Sequence, residues 1–421
     1  MRFLKRNKDY VFTFLTEIIV LASGVLVYKF AAQLSGGNDF SEYALIRRSI
    51  SFIMPLFIMG LGVGIPRYLA FSTGNKTMQD AVLIAGFLLV LTFTLPGLLI
   101  IFIWKDFFAT LFFSSVNYSY LIAPLLLMVF GMILHGLNYA YYRGVLKMLN
   151  ANFFQLINLG VVPIIVFAFY TDLLSVIWVT GLLWTAISLV VTGINFWRVK
   201  IHRQHIVSKT KEMFAYGLQR VPGDFGLAGF LAIPAFFTAH IVDDELVMAG
   251  YVAFAISLFN MAGAAFGPIC LILLPESSVL IKNKQFALLK QKVKKLAVWT
   301  LLLTVLGVLI VELFANELML IYLGNTFNSS LIACIRITML ACLGYTLYIS
   351  LRSILDAYYV KAVNTKNILL CLILFLGCSV AGYFFLPESV IVILYSFVIA
   401  MSVLGVLTYV ETRKMFLKHQ V

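Results

Sequence analysis

The chain has 421 residues, of which 62% are apolar and only 12% charged, about half the roughly 25% charge of an ordinary soluble domain. A mean hydropathy of +1.00 with 37 Phe and 20 Tyr excludes a water-soluble globule, a disordered chain and a collagen-like one. What remains is an all-α polytopic membrane protein. At about 20 residues per crossing this length allows roughly twelve spans and leaves no stretch for a soluble catalytic domain. The net charge of +13 sits in short segments between apolar runs, which reads as topology and contact with membrane lipids rather than nucleic-acid binding.

Apolar runs fall near 11–34, 44–70, 80–103, 117–147, 152–171 and 173–197, then near 212–238, 247–274, 292–314, 330–358, 367–385 and 389–411. The first is long and lacks a small-residue cleavage site after it, so a retained first helix is expected rather than a signal peptide. Basic residues resist translocation, and here they gather on one side. Arg2, Lys5, Arg6 and Lys8 precede the first run, Arg67 and Lys76 follow the second, and Arg143 and Lys147 close the fourth. Arg198, Lys200, Arg203, Lys209 and Lys211 fill the gap after the sixth, Lys282, Lys284, Lys290, Lys292, Lys294 and Lys295 the gap after the eighth, and Lys361, Lys366, Arg413, Lys414 and Lys418 come last. The opposite gaps hold Lys105 and the acids Asp39, Glu42, Asp106, Asp172, Asp243, Asp244, Glu245, Glu317 and Glu388. Both termini are therefore expected to be cytoplasmic. The five Cys (Cys270, Cys334, Cys342, Cys371, Cys378) lie in apolar runs without a CxxC pair, so neither a disulfide frame nor a metal site is expected.

An internal repeat organises the chain. Tyr43 corresponds to Tyr251, Pro66 to Pro275 and Arg143 to Arg352, shifts of 208 or 209 positions. That predicts an N-terminal six-helix lobe over 1–198, a basic cytoplasmic linker over 199–211 and a C-terminal six-helix lobe over 212–421. An even number of spans per lobe makes the lobes parallel repeats, related by a pseudo-two-fold along the membrane normal.

Three stretches carry a family resemblance: FSEYALIRRSISFIMPLFIMGLGVGIPRYLA, YYRGVLKMLNANFFQLIN and LRSILDAYYVKAVNTKN. They resemble the polysaccharide-transporter branch of the multidrug/oligosaccharidyl-lipid/polysaccharide exporter superfamily, which includes the bacterial O-antigen and related lipid-linked oligosaccharide flippases. The resemblance spans the whole chain. It implies a secondary transporter of the bacterial inner membrane, with two lobes enclosing a cationic cavity that opens alternately to each side. The implied cargo is an oligosaccharide on undecaprenyl pyrophosphate. The implied partners are a polysaccharide polymerase and a chain-length regulator.

Charge inside a span costs roughly 2.5–3.5 kcal/mol at mid-bilayer, so Lys29, Arg47, Arg48, Arg220, Arg336 and Arg352 must face protein or water unless they snorkel. A planar guanidinium suits paired hydrogen bonds to phosphate. Arg47, Arg48, Arg220 and Arg352, with Arg143 as the repeat-mate of Arg352, are the candidate substrate-binding residues. Neighbours on a helix point about 100° apart, so at most one of Arg47 and Arg48 faces a cavity squarely. Arg220 with Asp224, and Arg352 with Asp356, have i,i+4 spacing, and mutual neutralisation competes with the substrate reading there. Glu17 and Asp224 are candidates for coupling to H+ or Na+, or for pairing with a basic residue. No other cofactor is implied. His135 reads as a hydrogen-bonded packing residue.

Six of the ten Pro (Pro55, Pro66, Pro222, Pro234, Pro268, Pro275) lie in the second, seventh and eighth runs, where they are expected to bend helices. The glycines Gly60, Gly62 and Gly64 are expected to loosen the second run further. The segment KNKQFALLKQKVKKL reads as a basic amphipathic stretch on the anionic leaflet, with Phe286, Leu288, Leu289 and Val293 as its apolar side. No GxxxxGK[ST] loop, HExxH or paired-carboxylate cluster occurs, so the chain is not read as an enzyme. Two alternatives stay open: a drug/cation antiporter of the same superfamily, and a membrane polymerase or ligase acting on lipid-linked glycan.

Overall fold

The structure is a computed structural model and describes residues 8–34, 36–242, 246–266, 277, 280–281, 283–324, 328–359, 363–386 and 389–419. Asp243, Asp244, Glu245, Pro268, Cys270, Pro275, Lys282, Lys361, Glu388 and the basic cluster before Lys8 lie outside them. All the described regular structure is helical, and twelve helical segments are long and apolar enough to cross a membrane. In chain order the spans are 1 (Val11–Ala31), 2 (Asp39–Phe71), 3 (Lys76–Ile103), 4 (Val116–Gly144), 5 (Met148–Phe169) and 6 (Leu173–Phe196). They continue as 7 (Arg203–Ile241), 8 (Val247–Ala264), 9 (Phe286–Leu323), 10 (Ser329–Tyr358), 11 (Val363–Phe385) and 12 (Val390–Leu417).

By contact the chain divides into two compact units, 1–228 and 229–421. The division falls inside span 7 rather than in the expected linker over 199–211. Residues 203–211 are the first turns of span 7, an unbroken helix of 39 residues, because nothing before Pro222 interrupts the backbone hydrogen bonds. The few preceding residues are tied down: the Lys200 amide donates to Asp80 at 3.1 Å, and Asp80 pairs with Lys76 at 2.6 Å.

In the first unit span 4 packs against spans 2, 3, 5 and 6. In the second, span 10 does the same against spans 8, 9, 11 and 12. Each is 67% buried over its most apolar window, the highest share of any span. Both hubs cross a partner at glycine: Gly131 lies on span 6 at Trp184 and Thr185, and Gly344 lies on the backbone of span 12 at Met401 and Ser402. Bilayer lipid is as apolar as a leucine side chain, so close backbone approach of this kind is what holds spans together.

Two local expectations change. Span 2 is broken, but by its chain direction rather than by looseness: Met59 and Gly60 both take left-handed φ, 52° and 66°, four and five residues after Pro55, whose carbonyl accepts the Met59 amide at 3.1 Å. The apolar side of the basic stretch before span 9 is covered largely by protein. The stretch continues into span 9 as helix from Phe286, kinked at Phe314 (φ −120°, ψ 19°) before its end at Leu323, and Leu289 and Val293 pack with Leu351, Ile354, Met415 and Phe416 in the core of the second unit. Leu288 lies on the exposed side instead, 42% accessible.

Candidate cationic site

Four of the five candidate arginines share one local arrangement, a tyrosine four residues earlier on the same helix. The Arg143 guanidinium lies 5.5 Å from the Tyr139 ring centroid, Arg220 5.4 Å from Tyr216 and Arg352 5.8 Å from Tyr348. Arg47 hydrogen-bonds the hydroxyls of Tyr43 and Tyr28. Residues i and i+4 share a helix face, and a ring face attracts a cation without cancelling its charge. Tyrosine therefore holds each fork in place without itself cancelling the charge, as a carboxylate would. The pattern Tyr-x-x-x-Arg is the sequence signal that went unread.

The densest cluster lies in the first unit, where the end of span 2 meets the start of span 7. Tyr216 carries two guanidinium groups, Arg67 and Arg220, each 5.4 Å from its ring centroid, and Arg220 also donates to its hydroxyl at 2.9 Å. Tyr68 meets Tyr216 edge to face at 5.9 Å and receives Lys209 at 5.8 Å over its own ring. Lys209 is paired with Glu212 at 2.7 Å. The glycines of span 2 build this seat rather than merely softening the helix. A Cβ on Gly64 would stand 3.1 Å from the Tyr216 ring, and one on Gly60 2.9 Å from Arg220 Cβ. From the other side, Gly217 admits the Met59 carbonyl, 2.5 Å from where its Cβ would be. Arg67, read from sequence as a topology residue after span 2, belongs to this cluster.

Arg47 and Arg48 separate as the helical rotation requires. Arg48 is buried and hydrogen-bonds Tyr28. Arg47 lines a cavity of about 130 Å³ inside the first unit, among residues of spans 1, 2, 4, 5 and 6. Span 5 reaches this cavity through a π-helical turn, Leu156–Val161. Its carbonyls are captured from neighbouring spans: Ser23 Oγ donates to Gly160 at 2.6 Å, and the Trp184 indole donates to Asn158.

A polar ladder runs beside it. Asn152 donates to Thr13 at 3.0 Å, Gln155 to Glu17 at 3.3 Å and Asn158 to Ser188 at 3.1 Å, while Asn158 also meets His135 Nδ1 at 3.2 Å. His135 is thus a hydrogen-bonded packing residue. Glu17, the candidate coupling residue, is half-buried and holds Gln155. Asp224 lies on span 7, one turn beyond Arg220. In the second unit, Asn364 bridges the Arg352 carbonyl at 2.9 Å and the Asp356 carboxylate at 2.8 Å. Cys334, Cys342 and Cys371 are buried and free, and among the described residues no group of His, Cys, Asp and Glu is arranged to hold a metal.

No protein-family model matches the chain, and no curated protein matches it by sequence. Solved structures do match. A multidrug resistance MATE family transporter of the MOP superfamily, in an inward-facing conformation, superposes with a TM-score of 0.77 at 13% identity, over 96% of this chain and 95% of that one. The fold is that of the MATE transporters. An outward-facing MATE transporter gives a TM-score of 0.66 at 15% identity over 98% and 96% of the two chains. A MOP superfamily transporter from Pyrococcus furiosus, described by a binding pocket of reverse polarity and a different function, gives 0.65 at 13% identity over 99% and 97%. These MATE-like neighbours are transporters, and the twelve spans of this chain follow their architecture.

Proposed function

We propose that the chain is a secondary transporter working by alternating access in the bacterial cytoplasmic membrane, with both termini cytoplasmic. Its cargo is an undecaprenyl-pyrophosphate-linked oligosaccharide, delivered to the outer leaflet for a polymerase and its chain-length regulator. The observation that carries the cargo is the Tyr216 cluster, two guanidinium groups on one ring; elsewhere in the chain Arg143 and Arg352 each have a tyrosine setting of the same kind. Paired guanidinium forks are what a pyrophosphate needs. Support for alternating access comes from fold neighbours captured inward-facing and outward-facing. Glu17 and Asp224 are the residues through which H+ or Na+ would drive the cycle.

A second reading, multidrug antiport, is the one the fold neighbours favour by their own activity. Fold alone does not carry function, and the Pyrococcus furiosus transporter is a neighbour whose pocket polarity is described as reversed. The arginines set the glycolipid first. Deleting the gene decides between the two. Under the glycolipid reading, complete lipid-linked repeat units accumulate on the cytoplasmic leaflet and surface glycan is lost, while dye and drug efflux are unchanged. Normal surface glycan with raised drug sensitivity would establish the antiporter.

A further inference from the structure

The cavity at Arg47 is separate from the Tyr216 cluster and too small for the same cargo. At about 130 Å³ it falls below the roughly 300–1,000 Å³ of a pocket that takes a drug-sized ligand. Its described lining has one charged group, Arg47, and one hydroxyl, Ser51, with aliphatic side chains, methionines and Trp184 around them. Neither polar neighbour can answer the charge: Ser51 Oγ donates to the Arg47 carbonyl at 2.9 Å, and the Trp184 indole is committed to Asn158. The hydroxyls of Tyr28 and Tyr43 accept from the guanidinium. A guanidinium has five N–H donors and no acceptor, so two phenols leave both donors and charge to spare. No described lining residue is acidic. A cation is repelled from such a space and a small anion is drawn into it.

We infer that this cavity binds a small inorganic anion of the size of chloride, held by Arg47 as the counter-ion of the first unit. The anion stabilises the packing of spans 1, 2, 4, 5 and 6 around it, and its binding does not depend on the cargo.

The test is thermal unfolding of the purified full-length protein in detergent, with sodium chloride replacing sodium gluconate at constant ionic strength. A ligand that binds only the folded state raises the midpoint as its concentration rises through the dissociation constant. Wild type is expected to gain several degrees, saturably, with chloride and with bromide. Arg47→Gln is expected to lose the response, Arg47→Lys to keep a weaker one and the exposed control Lys292→Gln to match wild type. Bromide soaked into crystals of the wild-type protein should give an anomalous peak beside Arg47, a readout that needs no variant to fold. The absence of a saturable halide response in wild type, or its persistence in Arg47→Gln, overturns the inference. So does stabilisation through Arg47 by inorganic pyrophosphate without any by chloride, which would return Arg47 to the cargo site. Because no lipid-linked glycan is present, none of these results depends on what the protein transports.

Discussion

Gly60 and Arg220 lie so close that a methyl group on the glycine would stand 2.9 Å from Arg220 Cβ. Gly60 also has φ +66°, a conformation that costs a residue with a side chain about 1–2 kcal/mol. Gly60→Ala therefore strains the break in span 2 and displaces the Arg220 stem together. It should lower both the unfolding temperature and transport. Gly62→Ala, whose Cβ would meet only Ile58 Cγ2 at 3.9 Å, should leave both near wild type. Equal effects of the two would mean that the run serves helix flexibility instead of the arginine seat.

Tyr216 offers Arg220 a ring face at 5.4 Å and a hydroxyl at 2.9 Å. The hydroxyl bond to a charged group contributes about 1.5–3 kcal/mol and the ring about 0.5–2 kcal/mol. Tyr216→Phe should keep part of the transport rate, and Tyr216→Leu, which frees both Arg67 and Arg220, should keep little. Membrane abundance, read by fluorescence of a tagged protein, should change less than rate in both. A Tyr216→Leu variant that transports normally would remove the cluster from the site.

The start of span 9 separates apolar from basic positions within one turn. Leu289 is fully buried among Leu351, Ile354 and Met415, so Leu289→Ala should destabilise by about 2–5 kcal/mol, visible as a lowered midpoint in detergent. Lys284→Ala and Lys292→Ala, both on exposed positions, should be nearly silent. A large loss from the lysine changes would restore a lipid-binding role for this stretch.

Topology is checked by labelling introduced cysteines in intact cells. Asp106→Cys, in the short helix Lys105–Phe113, should react with an impermeant maleimide, and Arg203→Cys at the start of span 7 should react only after permeabilisation. Reaction of Arg203→Cys in intact cells would invert the proposed orientation.

The twelve spans were legible because each must present an apolar surface to lipid and so writes its length directly into hydropathy. The arginines were legible for the converse reason, since charge in a span demands an explanation. Their tyrosine partners were not, although Tyr43, Tyr139, Tyr216 and Tyr348 stand four residues before Arg47, Arg143, Arg220 and Arg352. A helix brings every i,i+4 pair together, and sequence does not say which pairs are used. Arg67 escaped because it stands near the end of the second run, where a basic residue reads as a topology charge, and sequence does not show that the ring of Tyr216 on span 7 lies beside it. Of the apolar stripe read as Phe286, Leu288, Leu289 and Val293, Leu288 is exposed and the other three are buried, and a stripe does not record whether lipid or protein covers it.

The π turn at Leu156–Val161 is what one surplus residue leaves behind in an otherwise α-helical span. Removing a single residue there would let span 5 close into regular α-helix with the helix on either side keeping its place, and the carbonyls the turn leaves open would return to the helix's own hydrogen bonds. Leu159, inside the turn, would be re-aimed at the wall of the Arg47 cavity, and Ser23 and Trp184 would lose the carbonyls they now hold. Hydropathy, length and charge would hardly register the deletion. The wall of the chamber around Arg47 thus depends on a count of residues, and a relative one residue shorter in span 5 would keep the twelve-helix outline with that wall altered.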